Sequence, residues 1–392
     1  MKFDSKVVKL CDISVKITKG TTPTSVGCNF VDSGINYIKS ESICNSRILD
    51  KTKYAYIDEF TNEKLKRSQI EENDILFSMA GAYLGKTGIV RKEDVPANTN
   101  QAVAIIRLNH NLADYRYIYY YLCQSSIIEY VNRSSAQSAQ PNINLKEIGN
   151  IEIDLPSITM QNSIADILSI IDDKIEINNM LNDNLAKLMN VMFQEWFDKH
   201  DEMEKKPLYE LADYINGTSF KPDEYANEGI PIIKITELKN GITQTTQYFS
   251  GEKEEKYYIK NGDILFSWSG NPETSIDTFI WHDGNGILNQ HTFKVVPKEN
   301  EEVYIYLMLK FFKPMFTAIA SNKQTTGLGH VTVADLKRLT FYYDGVKVKE
   351  FNEFVKPIYM KFYNNCIENG KLENLRDILL PKLMTGEVNV VL

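Results

Sequence analysis

The sequence of this chain is written twice, and that limits its fold more than any single motif does. Residues 73–81 read NDILFSMAG, and residues 262–270 read GDILFSWSG. At an offset of 189, six of nine positions are identical: Asp74/Asp263, Ile75/Ile264, Leu76/Leu265, Phe77/Phe266, Ser78/Ser267 and Gly81/Gly270. The same offset pairs Asn100-Gln101 with Asn289-Gln290, and Tyr117 with Tyr306. Each Asn-Gln leads into a strand-like stretch (102–108, 292–296) and then a helix-like stretch rich in Tyr, Leu and Ile (115–131, 302–320). Toward the ends the offset drifts, as insertions in surface loops would make it do. LCDISVKITKGTTP from Leu10 answers LADYINGTSFKP from Leu211, and Ile38-Lys39 answers Ile233-Lys234. A polar loop from Ser134 answers another from Ser321. Repetition on this scale implies two α/β units of roughly 140–150 residues each.

Each unit is followed by a long amphipathic segment. In the first, Ile164, Leu168, Ile171, Ile175, Asn178, Asn182, Leu185, Met189 and Met192 alternate in steps of four and three. In the second, Val355, Ile358, Phe362, Asn365, Asn369, Leu372, Arg376 and Leu379 do the same. This is a heptad seam. Both copies place two asparagines on it at equivalent positions, Asn178/Asn365 and Asn182/Asn369. A buried Asn costs stability but penalises slipped registers, because a slip leaves its amide unpaired. The expected helices run from about residue 157 to 197 and from about 346 to 380, or roughly 60 and 50 Å at about 1.5 Å per residue. Each alone would expose an apolar stripe, so an antiparallel coiled-coil pair is expected. The implied organisation is a first α/β domain over 1–155, a helix over 156–198, and a charged connector over 199–207. A second α/β domain over 208–345 and a second helix with its tail over 346–392 complete it. The fold class is a mixed α+β/α one with a pseudo-two-fold internal repeat.

Composition narrows the function. Five cysteines (Cys11, Cys28, Cys44, Cys123, Cys366) are scattered with no CxxC pair, and five histidines show no ligand spacing. Neither a zinc site nor a disulfide framework is indicated, and a reducing cytoplasm is expected. No run of about 18 apolar residues predicts a membrane span. The net charge of −8 argues against a non-specific polyanion binder. Sequence reading by local patches remains open, helped by a more basic partner.

Several phrases resemble one family, the specificity subunit of type I restriction–modification enzymes. They are VVKLCDISVKITKGTTP near the start, GDILFSWSG and LNQHTFKVVP (288–297) in the second unit, VMFQEWFDKH at the end of the first helix and LLPKLMTGEVNV (379–390) at the C-terminus. They fall in that family's order, and the resemblance covers the whole chain. NDILFSMAGAYLGKTG departs from it, lacking the Trp and Asn-Pro of the second copy, as units that read different sequences would. The resemblance implies two target-recognition domains, each reading one half of a bipartite asymmetric site in double-stranded DNA. It implies a helix pair that sets the spacer and docks two modification (methyltransferase) subunits, with two restriction subunits (translocase and nuclease) completing the complex. The chain itself would be non-catalytic and hold no cofactor or metal. S-adenosylmethionine, ATP and magnesium would belong to the partner subunits.

Base edges are read by Arg, Lys, Asn, Gln and similar side chains. The leading DNA-contact candidates lie in the two polar loops: Gln137, Ser138, Gln140, Asn142 and Asn144 in the first, and Lys323, Gln324, Thr325, Thr326 and His330 in the second. Next come Lys39, Ser40 and Glu41 with Lys234, Thr236 and Glu237, where Lys would hold phosphate and Glu would accept from cytosine. Ser78, Trp268, Ser269 and the Asn-Gln pairs follow. Trp281–Gly284 is expected to be a hairpin turn. Enzyme signals are weak. Gly81 to Thr87 resembles a phosphate-binding loop but is one residue short. Asn271-Pro272-Glu273-Thr274 is not a methyltransferase motif. Asp223 with Glu237 and Lys239 fits a loose pattern of magnesium-dependent nucleases, which stands as one alternative. A stand-alone DNA-binding regulator is another.

Overall fold

The structure, a computed structural model, describes residues 4–44, 46–135, 142–200, 202–243, 245–324, 328–388 and 390. The chain divides into two compact units, 1–173 with 372–392, and 174–371. The long helices Ile158–Asp198 and Gly345–Met384 are therefore not separate bodies, because each is divided between the two units.

In unit 1 an antiparallel four-stranded sheet is ordered Ser14–Lys19, Val103–Leu108, Ile75–Ser78, Thr87–Ile89. A second sheet of three strands places Ile35–Ile38 antiparallel to Ala55–Ile57 and parallel to Ala97–Thr99. Unit 2 repeats the first and enlarges the second to five strands. Its four-stranded sheet is ordered Ala212–Asn216, Thr292–Pro297, Ile264–Ser267, Asp277–Ile280. In its second sheet Ile230–Ile233 lies parallel to Gly286–Leu288. The register is kept residue by residue: Ile75 faces Ile106 and Phe77 faces Ala104, while Ile264 faces Val295 and Phe266 faces Phe293. The ILFS strands are wholly buried in both copies, which is why they kept their sequence while the surface diverged.

Two local expectations fail. Each Tyr/Leu/Ile-rich stretch forms two helices, Tyr115–Leu122 with Ser125–Ser135, and Glu302–Phe311 with Lys313–Asn322, the second pair bent by 50°. Pro314 sits in the first turn of the last of these, where its missing N–H costs nothing. Trp281–Gly284 is not a hairpin. The strand before it pairs with Ile264–Ser267 and the strand after it pairs in the other sheet, so the turn carries the chain across sheets. Buried Trp281 anchors it by donating its indole N–H to the Gly284 carbonyl at 2.7 Å. Among the described residues, no single helix is long and apolar enough to cross a membrane.

The heptad seam forms as an antiparallel contact within each unit. In unit 1, Ile164 and Leu168 share a core with Leu380 and Leu383, and the helix runs on through Pro381 to Met384. The seam position Arg376 donates to buried Asp172 at 3.1 Å, and Tyr120 donates to the same carboxylate at 2.6 Å. In unit 2, Met189 and Phe193 share a core with Phe351 and Val355. There the asparagines meet crosswise. Asn178 donates to Asn369 Oδ1 at 2.9 Å, and Asn365 donates to Asn182 Oδ1 at 2.8 Å. A two-fold relation between equivalent helices demands this pattern, because each residue must meet the counterpart of its partner. Asn178 and Asn365 are each only 1% exposed, so neither has water as an alternative partner.

The two sheets of each unit are locked by a close backbone approach. Gly20 N–H donates to the Val103 carbonyl and Thr21 N–H to that of Thr99; Gly217 and Thr218 repeat this with Thr292 and Leu288. A Cβ on Gly20 would stand 1.8 Å from the Thr99 carbonyl oxygen, and one on Gly217 would stand 2.2 Å from that of Asn289. Only glycine lets the first strand pass this close to the Asn-Gln turn.

Two predictions follow from these contacts. All three tryptophans, Trp196, Trp268 and Trp281, lie in unit 2, so indole fluorescence during denaturation reports on that unit. Asn365→Leu should destabilise it by about 1–3 kcal/mol, because Asn182 loses its donor in a buried place. Asn182→Leu combined with Asn365→Leu should recover most of that loss, since nothing is then left unpaired. A double variant as unstable as the single would show that the asparagines do not act as a pair. Gly217→Ala should cost about 1–3 kcal/mol by overpacking. Thr236→Ala, on the exposed surface, should leave the midpoint unmoved.

Candidate nucleic-acid interface

In each unit the segment after the ILFS strand, the Asn-Gln turn and the end of the polar loop are joined by the same hydrogen bonds. Met79 N–H donates to the Ala102 carbonyl at 2.8 Å, and Ile143 N–H donates to the Met79 carbonyl at 3.0 Å. In unit 2, Trp268 N–H donates to His291 at 3.3 Å, and Val331 N–H donates to Trp268 at 2.8 Å. Ala80 bridges to Asn142, and Ser269-Gly270 pairs with Gly329-His330. Both polar loops are thus tied at their C-terminal ends to the sheet edge. Both then enter a short capped helix. Asn144 Oδ1 accepts from the N–H groups of Lys146 and Glu147, and Thr332 and Asp335 cap the helix Val333–Arg338. Asn-x-x-Glu and Thr-x-x-Asp are legible capping boxes in the sequence. Asn144 therefore has a structural task, although it remains exposed.

Gln137, Ser138, Gln140, Thr325 and Thr326 lie outside the described residues. Asn142, Gln324 and Thr236 are exposed. Lys323 is tied to buried Asp335. Burial opposes ionisation of that carboxyl, yet Lys323, Thr332 and Arg338 together hold it well below the usual carboxylate range. Lys39 and Lys234 stand at the C-terminal ends of equivalent strands, each over an aromatic ring. Lys39 Nζ lies 5.3 Å from the Phe30 centroid, and Lys234 Nζ lies 5.2 Å from that of Tyr225. The aromatic residue precedes the lysine by nine positions in both copies. Lys39 also approaches Glu41 at 3.8 Å, while Lys234 bonds the neutral amide of Gln247. Half-buried Ser40 opens a single 3₁₀ turn beside Lys39.

Three candidates do not reach the surface. Ser78 is fully buried on the ILFS strand, as is its counterpart Ser267. Glu237 is buried, with Oε2 accepting from Lys234 N–H at 3.0 Å and Oε1 from Thr246 Oγ1 at 3.3 Å. This carboxylate caps its helix, so it neither accepts from cytosine nor serves a nuclease trio with Asp223 and Lys239. Ser269 is buried and its hydroxyl meets His330 Nδ1 at 3.0 Å. Its role is to hold His330.

Sequence reasoning missed three participants, Arg67, Asn216 and His291, and included Gln101 only through its Asn-Gln pair. Asn216 Oδ1 accepts from the Trp268 indole N–H at 3.0 Å. His291 lies 5.9 Å from the Trp268 ring, and His330 lies at the same distance. Partial burial, then repulsion from His330, pushes the His291 imidazole below its ordinary range. In unit 1, Arg67 donates to Thr21 Oγ1 at 3.2 Å, and Thr22 bonds Gln101. Arg67, Gln101, Asn216 and His291 are exposed, and of these only Gln101, in its Asn-Gln pair, is marked as a candidate in the sequence. Asn216 ends the strand Ala212–Asn216, Gln101 and His291 lie just before the strands Val103–Leu108 and Thr292–Pro297, and Arg67 lies on the 3₁₀ turn Lys66–Ser68.

A family model described as the type I restriction modification DNA specificity domain matches residues 3–187 and 200–343. The MjaIX specificity subunit of Methanocaldococcus jannaschii is 25% identical across 99% of this chain and 94% of its own length. The HindI specificity subunit of Haemophilus influenzae is 21% identical across 82% of this chain and 88% of its own. The crystal structure of a type I restriction–modification S subunit from M. genitalium superposes with a TM-score of 0.58 at 16% identity, covering 97% of this chain and 96% of that one, which is a likeness of fold. With two copies of the domain matched over most of its length, this chain belongs to the type I restriction–modification DNA specificity family.

Proposed function

We propose that this chain is the sequence-reading subunit of a type I restriction–modification complex, in which each α/β unit reads one half of a bipartite, asymmetric site in double-stranded DNA. The observation that carries this reading is one backbone frame present twice with different side chains at its rim. Two copies bearing the same rim would read a symmetric site; two with different rims read different half-sites. Phosphate contact falls to Lys39 and Lys234, and base contact falls to the polar loops and the Asn-Gln turns.

The helix pair then sets the unread spacer. Its asparagines admit one register, and a fixed register gives a fixed length. The pair also serves as the docking surface for two modification subunits. Ile177, Met180, Leu188 and Val191 are exposed on the first long helix within unit 2, on one face by their helical phase and away from the seam. Such an apolar stripe suits a protein partner. Two restriction subunits would complete the assembly. Methyl transfer, ATP-driven translocation and cleavage then belong to partners that hold S-adenosylmethionine, ATP and magnesium. The chain alone catalyses nothing and works in the cytoplasm. A net charge of −8 suits a reader whose partners supply much of the phosphate attraction.

Two experiments test this reading. Replacing residues 1–155 with the equivalent segment of a relative should change only one half of the methylated sequence, read by mapping modified adenines in cells that carry the chain with its modification subunit. Changes in both halves would defeat the two-reader arrangement. Removing seven residues from each long helix in register should shorten the spacer by about 3 base pairs, taking about 1.5 Å per residue against about 3.4 Å per base pair.

A further inference from the structure

The two rims can be aligned position by position, because identical backbone bonds build them. Lys19 and Asn216 end the first strand of each four-stranded sheet, opposite Ala104 and Phe293. Met79 corresponds to Trp268 and Ala102 to His291, through the N–H to carbonyl bond joining each pair. Ala80 corresponds to Ser269 and Asn142 to His330, through the bridges joining them. The frame is shared, yet none of these five positions keeps its residue. Unit 1 carries Lys, Met, Ala, Ala and Asn where unit 2 carries Asn, Trp, Ser, His and His.

Unit 2 has built its version into a fixed cluster. The Trp268 ring stacks on Phe293 at 5.6 Å, and Asn216 holds its indole N–H. Ser269 Oγ meets Nδ1 of His330, which leaves Nε2 as the second ring nitrogen. Trp268 and His330 are half-buried, and Asn216 and His291 are exposed, so the cluster is an ordered surface. In unit 1, Met79 at the tryptophan position is buried, and Asn142 at the His330 position is exposed. There the rim offers a primary amide and no ring.

We infer that these five paired positions, 19/216, 79/268, 80/269, 102/291 and 142/330, form the base-discriminating rim of each unit, and that in unit 2 Trp268 and His330 touch the bases. This rests on the DNA-reading function proposed above and names the residues that carry it. The indole edge supplies apolar contact of the kind that selects a thymine methyl, and the His330 imidazole pairs with a purine acceptor such as N7. Asn216, Ser269 and Phe293 are positioning residues. Asn142 supplies the amide that pairs with adenine in the other half-site.

The test is selection from a random-sequence duplex DNA pool by the full chain assembled with its modification subunit, with the retained sequences read out. Trp268→Phe keeps the stack on Phe293, and His330→Gln keeps a polar side chain, so both should fold. Each should lower the preference at one or two base pairs of one half-site by roughly tenfold and leave the other half-site untouched. Asn216→Leu should blur the same base pairs as Trp268→Phe, as a positioning residue must, whereas a merely structural role would weaken all sequences equally. Asn142→His with Ala80→Ser should alter the opposite half-site only. Unchanged half-sites in Trp268→Phe and His330→Gln, against a clear wild-type consensus, would overturn the assignment alone. A wild-type assembly that retains no bipartite consensus would overturn the DNA-reading function with it.

Discussion

The crosswise pairing of four asparagines on the helix seam is the constraint on which the rest depends. Leucines in their place would pack well in several registers, since one heptad of leucines is like the next. Buried amides resist slipping, because each would lose its partner, and Asn178 and Asn365 at 1% exposure would find no water in its place. The second helix repeats the first, so the bonds come in two-fold pairs: Asn178 with Asn369, and Asn182 with Asn365. The cost is visible too. The Asn365 carbonyl oxygen is buried without a partner, and Asn182 turns its own N–H₂ toward Cys366 Sγ at 3.3 Å. A chain that keeps such a costly seam in both copies gains a fixed register from it.

A second constraint separates scaffold from rim. The glycines at 20 and 217 and the buried ILFS strands hold the same backbone in both units, so those positions could not diverge without moving the sheets. The rim residues hang from that backbone through main-chain hydrogen bonds, which any side chain permits. One fold can therefore change what it offers at five places without altering its backbone frame. This is why Met79 and Trp268, which differ in shape and in that only the indole donates a hydrogen bond, sit on equivalent bonds.

Much of this was legible in the sequence, and the failures share a cause. The repeat, the strand after each Asn-Gln and the seam asparagines follow from periodicity and identity, which are local properties. The bends near Cys123 and Phe312 were hidden because apolar spacing continues through them, although the helix does not. Ser78 and Glu237 look like ligands by residue type. Their burial is a tertiary fact, and the capping role of Glu237 was masked by a lysine where a capping box shows Ser or Thr. Asn216 and His291 sit inside repeated phrases, yet their partnership with Trp268 becomes visible only once strands 75 or more residues apart are paired. The fold was written in local pattern, whereas half of the rim was written in contacts.

The acidity of the chain bears on how such a rim could meet a phosphate backbone. A lysine paired with a carboxylate brings little net charge to an approaching anion. A lysine held over an aromatic face keeps its charge, because the ring quadrupole attracts the cation without neutralising it. Lys234 is held by Tyr225 and by the amide of Gln247, both uncharged, between the strand Ile230–Ile233 and the helix Ile235–Asn240. Lys39 keeps the same ring contact but shares its charge with Glu41 at 3.8 Å. The two units therefore present unequal positive charge from equivalent positions. Since exposed charges more than about 10 Å apart are largely screened at moderate salt, the sign of the whole chain matters less at each rim than these single lysines do. A net-negative protein can in this way carry two local cationic positions of different strength, and the difference between the two rims extends to these lysines.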